Sequence, residues 1–136
     1  MAADAAYAMV QVLHNLGAVA VVGSPAAAMG WQRERCGVAS ALVWLTLSGW
    51  LVQSVSGAAF GLTSYLASGE VPQIAGTALI ALNIKIGCVV AAIVWIAVHL
   101  LGFARLRQRM QAWFWPSLLG AGVLALSSAA FLRWFG

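Results

Sequence analysis

The sequence predicts an all-α integral membrane protein, a bundle of four antiparallel transmembrane helices. Hydrophobic residues make up 63% of the 136-residue chain, charged residues 7%, and the mean hydropathy is +0.94. A soluble domain of this size could not bury so much apolar surface, so we expect the lipid bilayer to solvate it. Four apolar stretches each reach the length of about 20 residues that crosses a bilayer. They cover residues 5–29, 37–66, 74–103 and 113–135 of a single predicted domain, 1–136.

The first stretch is interpreted as a membrane helix rather than a cleaved signal peptide. Small residues follow Ser24, as at a cleavage site, but the positively charged start of a signal peptide is missing and Asp4 stands there instead. The apolar stretch is also longer than the apolar core of a typical signal peptide. Pro25 is expected to kink this helix or to end its regular part.

The second and third stretches are joined by a predicted turn over residues 68–72, which contains Gly69 and Pro72. The second stretch contains Gly57-x-x-x-Gly61, a spacing that lets helix backbones approach closely in membranes. The fourth stretch has aromatic clusters at both ends, which is typical of the two membrane interfaces.

Basic residues predict the orientation. Five of the seven fall in two predicted short loops: Arg33 and Arg35, then Arg105, Arg107 and Arg109. The opposite ends carry Asp4, Glu70 and Arg133. Short loops rich in Arg and Lys stay in the cytoplasm. We therefore expect a multi-pass protein of a bacterial inner membrane with both termini on the outer side.

Three strongly ionisable side chains lie within the predicted spans: His14, Lys85 and His99. Such groups are costly in a bilayer, so they usually face protein or water and mark function. Counted from the outer helix ends, His14, Gln53 and Lys85 share a layer roughly 14–20 Å below the boundary. Each lies on a helical stripe of polar and small residues, which is the protein-facing side of a membrane helix. We expect these three to converge, with His99 near the cytoplasmic face.

Lys85 has no carboxylate to pair with, because no predicted span contains Asp or Glu. It is too deep to reach the headgroups easily. A bound anion, such as a porphyrin propionate, would supply the missing charge. For His14 the competing interpretation is a structural hydrogen bond, and for His99, close to the interface, a structural role is favoured.

Short motifs around these residues resemble a known superfamily. They are Leu13-His14, Ile84-Lys85-Ile86 and Val98-His99-Leu100-Leu101, the last followed by arginines. The pattern resembles the superfamily that joins the copper-resistance D membrane domain with the small haem-binding membrane protoporphyrinogen oxidases. In the oxidase branch a helix-1 histidine and a helix-3 lysine matter for haem binding and activity. The resemblance implies these roles for His14 and Lys85.

The predicted function is therefore binding of haem b or a related tetrapyrrole, for redox chemistry or electron transfer in the membrane. The expected cofactor-binding residues are His14, Lys85 and Gln53, and the candidate metal ligands are His14 and His99. Ligation by both histidines requires a common depth, which the helix positions oppose. A single histidine ligand, a histidine from a second copy or partner chain, and no haem stay open.

Other classes stay open as well. The main alternative is a cofactor-free accessory or assembly subunit of a larger respiratory or photosynthetic complex, with other membrane subunits or a second copy as partners. Nucleic acid is not expected to be a partner. A proton-coupled antiporter usually needs a membrane carboxylate, which the predicted spans lack. Copper is disfavoured because the methionines lie apart. Cys36 and Cys88 differ too much in depth for a disulfide.

Overall fold

The computed structural model describes residues 2–31, 36–69, 76–102 and 104–135. Within these ranges the chain forms four helices and no strand. They are α1 (Ala2–Trp31), α2 (Cys36–Ser68), α3 (Gly76–Leu100) and α4 (Ala104–Phe135). All four are long and apolar enough to cross a membrane. The predicted all-α, four-helix fold is confirmed.

The start of α4 corrects the predicted boundaries. This helix begins at Ala104 rather than at residue 113, so the segment from Arg105 to Arg109 is helical and not a loop. Its arginines alternate with Leu and Gln, which are good helix formers, and nothing in the segment breaks a helix. The chain turns earlier, at Gly102, whose φ of 72° lies in the left-handed region that favours glycine. Arg33 and Arg35 lie outside the described residues.

Pro25 lies inside α1, which continues to Trp31, so the proline does not end the helix. Because proline has no N–H, it cannot donate the usual helical hydrogen bond to the carbonyl oxygen of Val21. The side chain of Pro25 is buried, as are those of its neighbours Ser24 and Ala28. The proline is therefore packed into the bundle.

Consecutive helices are neighbours in the bundle, and α4 also packs against α1. The pair α2 and α3 makes the least contact of the four neighbouring pairs. We call the half of the bundle that holds the start of α1 and the end of α4 the termini half. The other half, which holds the end of α1 and the start of α4, is called the connection half. The connection half contains most of the buried apolar core, including Val43, Ile96 and Phe114.

Close helix contacts occur at glycines other than the predicted pair. A Cβ added to Gly49 would lie 2.7 Å from the Cβ of Ala20, and one added to Gly122 would lie 3.0 Å from the carbonyl oxygen of Val21. The same test at Gly57 and Gly61 meets nothing within 4 Å. The G-x-x-x-G spacing of α2 is therefore not used for packing within the described part of the chain.

The outward faces carry large apolar side chains. Val19, Val55 and Leu101 are each at least 70% exposed. Many other Leu, Val and Ile side chains are exposed too. In water this surface would drive aggregation, whereas a lipid environment solvates it. The exposed faces thus agree with a multi-pass membrane protein.

Candidate functional site

The His14 imidazole joins three helices in the termini half. Its Nε2 atom lies 3.2 Å from Nζ of Lys85 on α3, and its Nδ1 atom lies 2.7 Å from Oγ of Ser56 on α2. Gln53 Nε2 donates a hydrogen bond of 2.7 Å to the backbone carbonyl of His14. The predicted convergence of His14, Gln53 and Lys85 is confirmed.

Gly17 explains why α2 comes so close to His14. It lies one turn after His14 on α1, and an added Cβ would be 3.1 Å from the carbonyl oxygen of Gly49 and 3.2 Å from Cγ of Gln53. A side chain at this position would require the neighbouring atoms of α2 to shift by a few tenths of an ångström. Gln53 and Ser56, three residues apart on α2, then face α1 together.

The hydrogen bonds assign the tautomer of His14. The hydroxyl of Ser56 donates to the carbonyl oxygen of Val52 at 2.6 Å, so its oxygen accepts from Nδ1–H of the imidazole. Nε2 then carries the lone pair and accepts an N–H from Lys85. The result is a directed chain from the Lys85 amine through the imidazole and the Ser56 hydroxyl to a backbone carbonyl.

Aromatic rings fix the orientation of the imidazole. Phe60, one turn beyond Ser56, meets the His14 ring edge-on with a centroid distance of 5.3 Å and an interplanar angle of 72°. Tyr7 packs against Phe60 at 5.2 Å. Edge-to-face contacts of this kind add specific geometry to the apolar packing. The imidazole is therefore held from one side by Ser56 and on its edge by Phe60.

Burial differs across the site. Gln53 and Ser56 are 4% and 5% exposed, whereas His14 and Lys85 are only partly buried. The flanking residues Ile84 and Ile86 are 40% and 52% exposed. The polar support of the site is thus enclosed between α1 and α2, and its imidazole and amine lie on the more open side of the bundle.

His99 does not join this site. On α3 it lies 14 residues beyond Lys85, which is about 21 Å along a helix. Its ring stacks on Phe114 of α4 with a centroid distance of 4.0 Å. One metal ion cannot bind both His14 and His99 at these positions. Among the described residues there is also no group of three or more His, Cys, Asp or Glu that could hold a metal ion.

Two features of the site did not emerge from the sequence. Ser56 lies three residues after Gln53 on the same helix face, but its bond to Nδ1 of His14 depends on the register between α1 and α2. The close approach through Gly17 and Gly49 also depends on that register. The available signal was the position of Gly17, three residues after His14 on the same helix face.

No family model, no curated protein and no solved structure matches the chain. The resemblance to the copper-resistance D and protoporphyrinogen oxidase superfamily thus stays a prediction. A function is therefore inferred from the contacts of His14 and Lys85.

Proposed function

We propose that this membrane protein binds haem b, or a related tetrapyrrole, in the termini half of the bundle. Redox chemistry or electron transfer in the membrane is the function that such a cofactor would serve. The observation that carries the proposal is the geometry of His14, whose Nδ1 atom is anchored by Ser56 while Nε2 faces a long, displaceable side chain. The iron ligand would be His14 Nε2, and Lys85 would bind a propionate.

The surroundings of His14 fit a metal-binding histidine. In such sites the second ring nitrogen usually donates to a carbonyl, carboxylate or water, which fixes the tautomer and the ring plane. Ser56 accepts that hydrogen bond here and is itself fixed by the carbonyl of Val52. Gln53 fixes the backbone of His14. Imidazole held in this way is a good axial ligand for haem iron.

The surroundings of Lys85 fit a propionate. Its amine now bonds to the atom that would bind iron, so the amine would have to move when the cofactor binds. The flexible four-carbon side chain allows this movement. None of the four spans contains Asp or Glu, so a propionate would give the lysine cation an anionic partner that the spans lack.

Access to the site is favoured on the side where α2 and α3 make little contact. Gly57 and Gly61 follow Ser56 and Phe60 directly, and both border open space. A flat ring system could approach there from the lipid. When bound, haem would supply one-electron chemistry. The structure offers no second described histidine at this level, so a second axial ligand would come from a second copy or a partner subunit.

The test is the absorption spectrum of gently purified protein from haem-replete cells. The wild type is expected to show a Soret band, and His14→Ala is expected to lose it. His99→Ala is the matched control and should keep the band, because His99 lies about 21 Å away along the bundle. A band that survives His14→Ala and is lost in His99→Ala would contradict the assignment.

A colourless wild type with its partners retained would contradict haem binding altogether. That result would favour the alternative function, a cofactor-free accessory subunit of a larger respiratory or photosynthetic complex. The exposed apolar faces of the helices would then serve contacts with other subunits.

For the location we propose a bacterial inner membrane with both termini on the outer side. The basic residues support this orientation. In the sequence, five of the seven lie near the end of α1 or the start of α4, at the connection half. Of the other two, Lys85 lies within a span and Arg133 follows the last span. Reporter fusions after Gly136 and after Gly102 test it. Cytoplasmic activity of the reporter at Gly136 would contradict the orientation.

A further inference from the structure

Three buried polar atoms in the connection half have no hydrogen-bond partner in the described part of the chain. They are Oγ of Ser24, Nε1 of Trp50 and Nε1 of Trp95. Ser24 is 2% exposed and Trp50 is 1% exposed. A buried donor without an acceptor is costly, and more so in a bilayer, where no bulk water can compensate. Three of them in one small bundle need an explanation.

Ser24 differs from the other buried polar residues. Thr46 donates to the carbonyl of Leu42, and Ser128 donates to that of Ala125, as hydroxyls in membrane helices usually do. Ser24 makes no such bond. The next residue, Pro25, also leaves the carbonyl of Val21 without its helical N–H donor. One turn of α1 therefore contains a donor, the hydroxyl of Ser24, and an acceptor, the carbonyl of Val21, that do not make the usual hydrogen bonds within the helix.

The helix register places Trp95 at the level of this turn and Trp50 about one turn nearer the termini half. The contact between His14 and Lys85 relates α1 to α3 with an offset of 71 residues, and the same offset places Trp95 opposite Ser24. Trp50 follows Gly49, which packs against Val21. Trp50 belongs to the buried core cluster that includes Val21, and Trp95 packs against that cluster.

From the usual direction of helical side chains, we expect the polar atoms to lie closer together than their backbones do. Helical side chains lean toward the N-terminus of their own helix. Since α2 runs opposite to α1 and α3, Trp50 leans toward the level of Trp95 and Ser24, and these two lean toward Trp50. The small residue Ala92, 2% exposed, lies in the same layer of α3.

We propose that Ser24, Trp50, Trp95 and the carbonyl of Val21 form an internal binding site for one or two water molecules. Water can accept from the indole N–H groups and donate to the carbonyl, which an aprotic ligand cannot do. The neighbouring core is closed to the outside, which favours a ligand as small as water: Val21 and Leu118 are each 1% exposed and Ile96 is 0% exposed. This site is separate from the proposed haem site and shares no residue with it.

The experiment measures water contact of single indole N–H groups. The protein, labelled with ¹⁵N in its tryptophan indoles, is placed in lipid nanodiscs, and magnetisation transfer from water to each N–H is recorded by NMR. Trp50→Phe and Trp95→Phe assign the two buried signals. Trp113→Phe and Trp134→Phe assign two exposed ones, since these residues are 71% and 83% exposed.

The Trp50 and Trp95 signals are expected to lie at hydrogen-bonded shifts and to show direct transfer from a long-lived water. Ser24→Ala is expected to shift both signals. Ser127→Ala, a serine already bonded to the carbonyl of Val123, is the control and should shift neither. Absence of water transfer to both buried indoles in the wild type would overturn the proposal, whether or not the Ser24 variant folds.

Discussion

Removal of the Ser56 hydroxyl tests how far the orientation of His14 controls ligand binding. In Ser56→Ala the Nδ1–H of His14 loses its acceptor, now 2.7 Å away, in a part of the bundle where Ser56 is 5% exposed. Loss of such a supporting contact typically lowers metal affinity by about 10–100-fold, which is about 1.4–2.8 kcal/mol. The imidazole remains, so we expect a Soret band at an unchanged position with a Kd for haem raised by that factor.

The assay is a titration of haem into apo-protein in nanodiscs, followed at the Soret maximum. Ser54→Ala is a close control, because Ser54 lies on the same helix and its hydroxyl donates to the carbonyl of Trp50 in that helix at 2.8 Å. Its affinity should equal that of the wild type. Equal affinity of Ser56→Ala and the wild type would refute the argument that Ser56 orients the iron ligand. Equal weakening in both serine variants would show a general effect on the bundle instead.

Two further predictions concern the lysine and the helix packing. Lys85→Met is expected to raise the Kd for haem by about 10-fold, because the lost charge-assisted hydrogen bond of about 1.5–3 kcal/mol outweighs the weaker contact with His14 that no longer has to break. Lys85→Arg should recover part of the loss in the same titration, and tighter binding in Lys85→Met would exclude the propionate contact. Gly49→Ala is expected to lower unfolding stability by about 1–3 kcal/mol because its Cβ would lie 2.7 Å from that of Ala20, whereas Gly57→Ala should be neutral in the same denaturation assay. Equal stability of the two glycine variants would contradict the described register.

The polar face of the site could be predicted from the sequence because spacing alone determines it. His14 and Lys85 are rare ionisable residues on small-residue stripes, and in a membrane such stripes face protein. The helices themselves followed from length and hydropathy. Contact between His14 and Lys85 required only that the two stripes face inward at one depth.

What could not be predicted depends on register and on competition between equivalent signals. Gly57 and Gly61 have the spacing that favours close packing of membrane helices. The close contact between α1 and α2 is nevertheless made at Gly17 and Gly49. A shift of α2 by about two turns would place Gly57 where Gly49 now lies, and the sequence does not specify that shift. The start of α4 at Ala104 was missed because a run of arginines indicates the membrane boundary, not the end of helical structure.

The contact between Lys85 and His14 gives the sharpest constraint on the proposed function, because cofactor binding must break it. In a bilayer the pair leaves neither the amine nor Nε2 without a partner, so it stabilises the ligand-free bundle. Hydrogen bonds between membrane helices contribute only about 0.6 kcal/mol on average and about 1.7 kcal/mol at most. A contact of that size is easily outweighed by an iron ligand.

A double-mutant cycle with His14→Ala, Lys85→Met and the double variant, unfolded as apo-proteins in mixed micelles, measures this contact. We expect a coupling energy of about 0.6–1.7 kcal/mol, because the bond is single and both side chains are only partly buried. A cycle between His14→Ala and Ser54→Ala should give a coupling near zero. A coupling of several kcal/mol between His14 and Lys85 would mean that the lysine is a fixed structural partner. Nε2 would then not be free to bind iron, and haem ligation by His14 would be refuted on stability grounds alone.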